Sequence, residues 1–329
     1  MQYSSAHHVS ARAWADFWND EGSAAHVVKS EQDAAALHTV WQGFLAPLIA
    51  RGSPLRFLDL ACGDAVVARQ GATMADAAGV ALAPICCDYS EAAVRIAREG
   101  MPGAAGLPLA ANAARLPIAD SSIDVVVSQY GAEYAGPDAF SEMARVLAPG
   151  GDVQAVVHQT GGVVHLQCSD AVSVLSNVLD QRLLRRFAKL LKLLHKTAGA
   201  TQLPAGVKQA RIRFDAAFQT VQAAVESAGP GAARDHVVQL CRDLNRSLTN
   251  WQAYRLADLE RWAVVQESAV EGFRLRMRTM TEAAVDRAGA DGLAARLAAA
   301  GLDRVEVGEF APAHHTRPAG WIVRASRPA

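Results

Sequence analysis

Long apolar runs are missing from this chain of 329 residues. None reaches the ~18 residues needed to cross a bilayer, which argues against a transmembrane protein. Cysteine is scarce and odd in number: five in all, with Cys86 and Cys87 adjacent and no CxxC. Neither a disulfide framework nor a zinc site is indicated, and a reduced, cytoplasmic setting fits that usage. A basic excess is also missing. Lys plus Arg is 32 against 33 for Asp plus Glu, a net charge of -1, which counts against general nucleic-acid binding. Met1 to Asp20 has no basic segment followed by an apolar one and does not read as a signal peptide. Internal repeats and low-complexity tracts are absent, although alanine is abundant.

What the chain does have is material for a core, with 51% apolar and 20% charged residues. Periodicity divides it into zones. Residues 10–50 read as helical, with Trp14, Phe17 and Trp18 on one apolar face and a second apolar stretch from Ala34 to Ile49. From 55 to 160 short apolar runs (Leu55–Leu60, Ala83–Cys87, Ile123–Ser128, Asp152–His158) alternate with helical segments such as Glu91–Glu99 and Ala139–Leu147. Such strands, continuous in apolar residues, belong to a parallel sheet covered on both faces. From about 165 to 288 only helical patterns follow, with breaks near Gly199–Pro204 and Gly229–Gly231. A short helix, Leu293–Ala300, and two further strand-like runs, Arg304–Phe310 and Gly320–Ala325, close the chain. The predicted organisation is a helical cap over 1–50, an α/β core over 51–164, a helical insertion over 165–288 after the fifth strand, and completion of the core sheet by 289–329.

The most informative stretch is Arg56-Phe57-Leu58-Asp59-Leu60-Ala61-Cys62-Gly63-Asp64-Ala65, a strand that runs into an acid, small residues and a helix start. Small residues there let backbone approach a ligand, and the tip of the first strand is where doubly wound sheets bind nucleosides. The second strand ends at Asp88, an acid suited to both hydroxyls of a ribose. Asn112-Ala113-Ala114-Arg115-Leu116-Pro117-Ile118 then leads through Asp120-Ser121-Ser122-Ile123-Asp124 into the fourth strand. Glu142-Met143-Ala144-Arg145-Val146-Leu147-Ala148-Pro149-Gly150-Gly151 precedes the fifth. No GxGxxG follows the first strand, so a nicotinamide dinucleotide site is not supported.

In order and spacing, these four segments resemble the class I S-adenosylmethionine-dependent methyltransferases, whose usual pattern is LDLGCGxG, an acid ending strand two, DAxxLPFxDxSFDVV, and a Pro-Gly-Gly turn before strand five. The resemblance covers about residues 50–160 and, more weakly, 290–325. It implies a doubly wound, Rossmann-like seven-stranded sheet with S-adenosylmethionine as cofactor and S-adenosylhomocysteine as product. It also implies a pocket residue by residue. Asp59 would hold the methionine amino group, and Ala61, Cys62 and Gly63 would form the backbone wall. Asp88 would take the ribose hydroxyls and Tyr89 would pack near adenine. Asn112, where the family commonly has Asp, would read the adenine amino group beside the Ala113 amide. Ser128 and Gln129 would line the methionine end. Ala61 and Ala65 stand where the family usually has glycine, which matters only if the backbone there needs φ > 0.

Methyl transfer from a sulfonium is an in-line displacement, so the protein mainly positions the nucleophile and excludes water. A hydroxyl or amine acceptor can also need a base. The candidates are His158, at the end of strand five, and Tyr130 and Glu133, just after strand four. The plainer reading of His158 is a loop histidine satisfied by backbone groups, and that of Glu133 an acid bonding loop amides. In 181–196, Leu183, Leu184, Phe187, Leu190, Leu191 and Leu194 share one helical face, and Arg182, Arg185, Lys189, Lys192 and Lys196 share the other. That helix could rest on an anionic membrane or cover an acidic substrate, but leucines packed on neighbouring helices explain it more simply. Trp14, Phe17 and Trp18 would either cover the cofactor or serve as core. No His, Asp or Glu cluster has metal-ligand spacing, and His314-His315 is a lone pair in the loop between the last two strands, so no metal site is expected.

The expected activity is methyl transfer to an O or N atom of a small-molecule acceptor, with the insertion as a lid. The alternative is an RNA or protein acceptor. Ser128-Gln129-Tyr130-Gly131, where the family's base-methylating enzymes carry Asn/Asp-Pro-Pro-Tyr, counts against base amino-group methylation, and the absence of a Pro-Cys nucleophile counts against cytosine C5 methylation. The basic helix favours RNA while the balanced charge weakens it. Transfer to a membrane lipid, or cofactor binding without turnover, would also be consistent with these motifs.

Overall fold

A computed structural model of the chain describes residues 14, 15, 17–19, 30–101, 106–198, 201, 202 and 204–329. Parts of the expected cap (1–13, 16 and 20–29) and of the Gly199–Pro204 break (199, 200 and 203) lie outside the described residues. The chain divides into two compact units, Met1–His165 with Thr279–Ala329, and Leu166–Arg278.

The first unit is built on β1 (Leu55–Leu60), β2 (Leu82–Asp88), β3 (Leu107–Ala110), β4 (Ile123–Gln129), β5 (Leu147–Val157), β6 (Asp303–Phe310) and β7 (Gly320–Ser326), in the order β3-β2-β1-β4-β5-β7-β6. The first five strands are parallel, and β7 lies antiparallel between β5 and β6. This is the doubly wound, Rossmann-like sheet expected of the sequence, with its helical insertion following β5. Burial on both faces explains the unbroken apolar runs. Phe57, Val125 and Val127 face one core with Leu37, Trp41 and Leu45 of α1 (Glu31–Ile49) and Val67 and Ala68 of α2 (Val66–Ala77). Leu58, Leu60 and Val126 face the other with Phe140 and Met143 of α4 (Pro137–Val146) and Leu293 and Leu297 of α10 (Arg287–Ala299). The side-chain period of two sends neighbouring strand residues to opposite layers. Between β2 and β3 runs α3 (Glu91–Gly100), which starts where the Ser90 side chain accepts the Ala93 amide.

Three boundaries differ from the sequence expectation. The third strand had no assigned residues; it is four residues long at the sheet edge, and its Leu107 is exposed. β5 begins at Leu147, ahead of Asp152, and ends at Val157, leaving His158 just beyond it. Gly151 has no room for a Cβ there, which would lie 2.8 Å from the Ala148 carbonyl and 2.9 Å from that of Asp124. The final helix starts at Arg287 instead of Leu293, because Asp286 accepts the Gly289 amide and caps it.

The second unit is helical and its described residues contain no strand. It takes most of α5 (Val163–Asp180) and α9 (Leu256–Ala283) and all of α6 (Leu183–Lys196), α7 (Ala205–Ser227) and α8 (Ala232–Thr249). Leu183, Leu184, Phe187, Leu190 and Leu191 of the basic helix α6 pack with Phe214 and Val221 of α7 and Leu240 and Leu244 of α8. On its other face Arg185 pairs with Glu267 at 2.7 Å, and Arg186 donates to the Arg213 carbonyl at 2.9 Å. The apolar face is therefore covered by its own unit. Among the described residues, no helix is long and apolar enough to cross a membrane.

In the core unit, Arg145 of α4 grips the segment that leads into β4. It donates to Glu142 (2.7 Å), Asp120 (2.5 Å) and the carbonyls of Ile118 (2.8 Å) and Leu116 (3.0 Å), while Glu142 accepts the Leu116 amide at 2.6 Å. Arg145→Met keeps the apolar stem and removes these charge-assisted bonds, so it should lower the unfolding free energy by about 2 kcal/mol in urea. A loss below about 0.5 kcal/mol, the scale of ordinary surface changes, would show that other contacts hold the segment.

Candidate active site

The turn after β1 forms the floor. Ala61, Gly63 and Ala65 have φ of 54°, 54° and 60°, so two alanines hold the left-handed conformation that glycine adopts freely. Ala65 caps α2 without a side-chain hydrogen bond. Asp59 supplies it instead, accepting the Ala68 amide at 3.0 Å from the strand below. The Cys62 amide donates to the Cys87 carbonyl at 2.9 Å. Asp88 closes the turn from β2, accepting the Gly63 amide at 3.0 Å with one oxygen and the Ser90 amide at 2.9 Å with the other. Burial pushes both the Asp59 and the Asp88 carboxyls above their ordinary value, Asp59 the further. A hydrogen bond with Cys86, together with burial, also pushes the Cys62 thiol well above its ordinary value.

Above this floor lies a cavity of about 1450 Å³. It brings together ten of the expected residues: Asp59, Ala61, Cys62, Gly63, Asp88, Tyr89, Asn112, Ala113, Gln129 and Tyr130. Tyr89 is 56% exposed, at the rim. Asn112 accepts the Ala114 amide at 2.9 Å with its carbonyl oxygen, which fixes the side chain in its own turn and leaves the Nδ2 donors and one oxygen lone pair for a ligand. Gln129 is held by the Trp41 indole N–H at 2.6 Å. Trp14 and Trp18 also line the cavity, and a Cβ on Gly63 would meet the Trp18 ring at 2.9 Å. Phe17, between them in sequence, is buried.

Ser128, Glu133 and His158 do not line the cavity. Ser128 is fully buried, and its hydroxyl accepts the Ala132 amide at 3.0 Å, shaping the 3-10 turn Ala132–Ala135. His158 is 1% exposed, stacked on Tyr130 at 4.5 Å, with Nε2 2.9 Å from the Tyr134 hydroxyl. Burial pushes its pKa down to about 3, so it is neutral at physiological pH. Glu133 accepts the His158 amide at 3.0 Å, and burial raises its pKa to about 7 against the weaker opposing effect of backbone hydrogen bonds. Burial likewise pushes the Tyr130 phenol up; its hydroxyl donates to the Ala319 carbonyl at 3.2 Å.

The sequence reading missed three contributors. Tyr134 lines the cavity, turned there by the 3-10 geometry, which no residue pattern announces. Trp41 holds Gln129 from 88 residues away. Gly131 is required by its neighbour, since a Cβ on it would lie 2.5 Å from the Ala61 Cβ and 2.9 Å from the Ala61 carbonyl.

Comparison with known proteins bears on this floor directly. Residues 57–151 match the family model described as a methyltransferase domain. Over these residues the chain carries a methyltransferase domain. The sheet order and the cavity at the carboxyl ends of β1, β2 and β4 fit such a domain. Over 98 residues the chain is 37% identical to a demethylmenaquinone methyltransferase of Beutenbergia cavernae, a match spanning 29% of this chain and 38% of that protein. Among solved structures, an S-adenosylmethionine-dependent methyltransferase from Mesorhizobium loti aligns over 39% of this chain and 55% of its own, at 22% identity and a TM-score of 0.33. Another, from Aquifex aeolicus, aligns over 36% of this chain and 63% of its own, at 15% identity and a TM-score of 0.30.

The domain's floor and rear wall can each be tested by stability. Ala61→Gly should stabilise the chain by about 1 kcal/mol, by removing a left-handed alanine. Gly131→Ala should destabilise the parent by about 2 kcal/mol through overpacking, and distinctly less in the Ala61→Gly background. Additive effects in a denaturant double-mutant cycle would refute the contact. Glu133 has a folded pKa above its ordinary 4.5, so its stabilising contribution is full below that value and is lost as pH rises through about 7. Glu133→Gln should remove up to about 3 kcal/mol of the stability loss between about pH 5 and pH 8. Asp59 and Asp88 titrate with the same sign, so the measurement is the difference between parent and variant across that range. Parallel curves would mean that Glu133 ionises normally.

Proposed function

We propose that the whole chain is an S-adenosylmethionine-dependent methyltransferase acting on a small organic acceptor. The observation that carries this is the size and lining of the cavity. At about 1450 Å³ it exceeds the roughly 300–1,000 Å³ of an ordinary ligand pocket, leaving room for an acceptor beside a cofactor. Trp14, Trp18, Trp41, Tyr130 and Tyr134 line it, which favours an apolar or aromatic acceptor. The quinone-related name of the Beutenbergia cavernae relative is in keeping with that class.

The residues present fit the cofactor. Asp59 is a buried carboxylate at the cavity floor, and a cationic amino group there would offset the cost of its charge. Asp88 retains acceptor capacity toward a ribose hydroxyl beyond its bonds to backbone amides. The close approach of Gly63 to Trp18 supports a thin cradle at the turn. When bound, the cofactor supplies an electrophilic methyl group. The chain's own part is to hold Ala61, Cys62 and Gly63 as the backbone wall, to keep Gln129 oriented through Trp41, and to exclude water with the tryptophans. Asn112, with its amide N–H available, is assigned an adenine ring nitrogen, and the Ala113 amide stands beside it. Tyr130 and Tyr134 are assigned the acceptor side. His158 and Glu133 are positioning residues behind them, His158 through the Tyr134 hydroxyl and Glu133 through the His158 amide. The helical unit is assigned acceptor selection, in the role of a lid, on its insertion after β5 alone.

Calorimetric titration with S-adenosylhomocysteine tests the reading. The parent should bind with micromolar affinity, and Asp88→Ala should weaken binding about 10- to 100-fold through lost charge-assisted hydrogen bonds. Circular dichroism checks that the variant keeps its fold. Absence of binding in a folded parent would remove the enzyme reading.

A further inference from the structure

Three side chains outside the catalytic reading converge on one point. Asp33 lies in the first turn of α1, and His314 and His315 lie in the loop between β6 and β7, His314 being 281 residues further along the chain. The Nε2 atoms of His314 and His315 stand 2.9 Å and 2.7 Å from the same oxygen, Asp33 Oδ1. One potential ligand atom from each residue lies within 4.8 Å of the others. We propose that Asp33, His314 and His315 bind a divalent transition cation of the zinc or iron(II) class.

The donor set selects that class. Two imidazoles and one carboxylate suit borderline divalent metals, whereas magnesium and calcium prefer oxygen donors alone. A cation bound at about 2.0–2.2 Å from each donor needs each imidazole Nε2 to draw back only about half an ångström from Asp33 Oδ1. The surroundings prepare the carboxylate for this. Its other oxygen accepts the Ser30 hydroxyl at 2.8 Å, and Ser30 in turn accepts the Asp33 amide at 2.9 Å, so Oδ1 is turned toward both rings. Such outer hydrogen bonds fix ligating carboxylates in metal sites. The His315 amide donates to the Pro312 carbonyl at 3.0 Å, folding the loop so that both rings, 4.1 Å apart, present the same edge. The side chains of Asp33, His314 and His315 are 24%, 27% and 19% exposed, which leaves a path for entry and a position for water. Bound metal would pin α1 to the β6–β7 loop, whose Ala319 carbonyl also receives the Tyr130 hydroxyl. The catalytic reading is not needed for this site.

The test uses the untagged full chain, stripped with chelator and titrated with cobalt(II) by calorimetry and visible absorption. One equivalent should bind with micromolar or tighter affinity, give a ligand-field spectrum, be displaced by zinc(II), and resist millimolar magnesium. Zinc(II) should also raise the melting temperature of the parent. Asp33→Asn and His315→Gln should each weaken binding at least tenfold, with circular dichroism confirming their folds without metal. His315 lies outside the helix cap, so its variant carries the comparison if Asp33→Asn unfolds. Absence of stoichiometric binding in the parent, or equal binding by parent and His315→Gln, would overturn the proposal and leave an ion-pair cluster or adventitious ligation elsewhere.

Discussion

The cavity floor depends on the Asp59 carboxylate, which is buried at the end of β1 and accepts the Ala68 amide in the first turn of α2. This hydrogen bond replaces the missing side-chain cap at Ala65 and so fixes where the helix begins. With both ends of the turn fixed, Ala61 and Ala65 have little choice but positive φ, and the Gly63 amide is delivered to Asp88. Strain of this kind persists only where surroundings over-determine the backbone. Two carboxylates from adjacent strands, both held in little water, thus shape the floor through backbone amides before any ligand enters.

Much of this was legible in the sequence for a physical reason. Strands buried on both faces leave unbroken apolar runs, and β1, β4 and β7 appear within a residue or so of where those runs lie. The turn motif carries its meaning in consecutive residues, so the floor and ten lining residues could be named in advance. β3 escaped because Leu107-Pro108-Leu109-Ala110 is short, partly exposed and interrupted by proline, a composition suited to an edge. His158 was read as a candidate base from its place at the end of strand five. The stacking that sets it behind Tyr130, and the Tyr134 hydroxyl that engages it, are tertiary facts. The convergence of Asp33 on His314 and His315 is less legible still, since nothing local couples residues so far apart.

The basic helix α6 shows how an amphipathic pattern can be correctly read and its partner left open. A leucine face opposite a cationic face is as suitable for a lipid surface as for a helix bundle. Here α7 and α8 supply the apolar partner, and Glu267 meets one of the arginines. The same economy appears around Arg145, where one guanidinium satisfies carbonyls and carboxylates at the approach to β4.

The position of β7 bears on the order in which the sheet can be completed during synthesis. Gln154 of β5 pairs with Arg324 of β7, 170 residues later, and β6 has no sheet neighbour except β7. Until β7 leaves the ribosome, β5 has an open edge, and the strand beside it in the finished sheet does not yet exist. All of Leu166–Arg278 is made in that interval and has its own apolar core to bury. An exposed strand edge invites pairing with other chains, so the nascent protein is most vulnerable to aggregation while its helical segment is emerging and its sheet is still five strands wide.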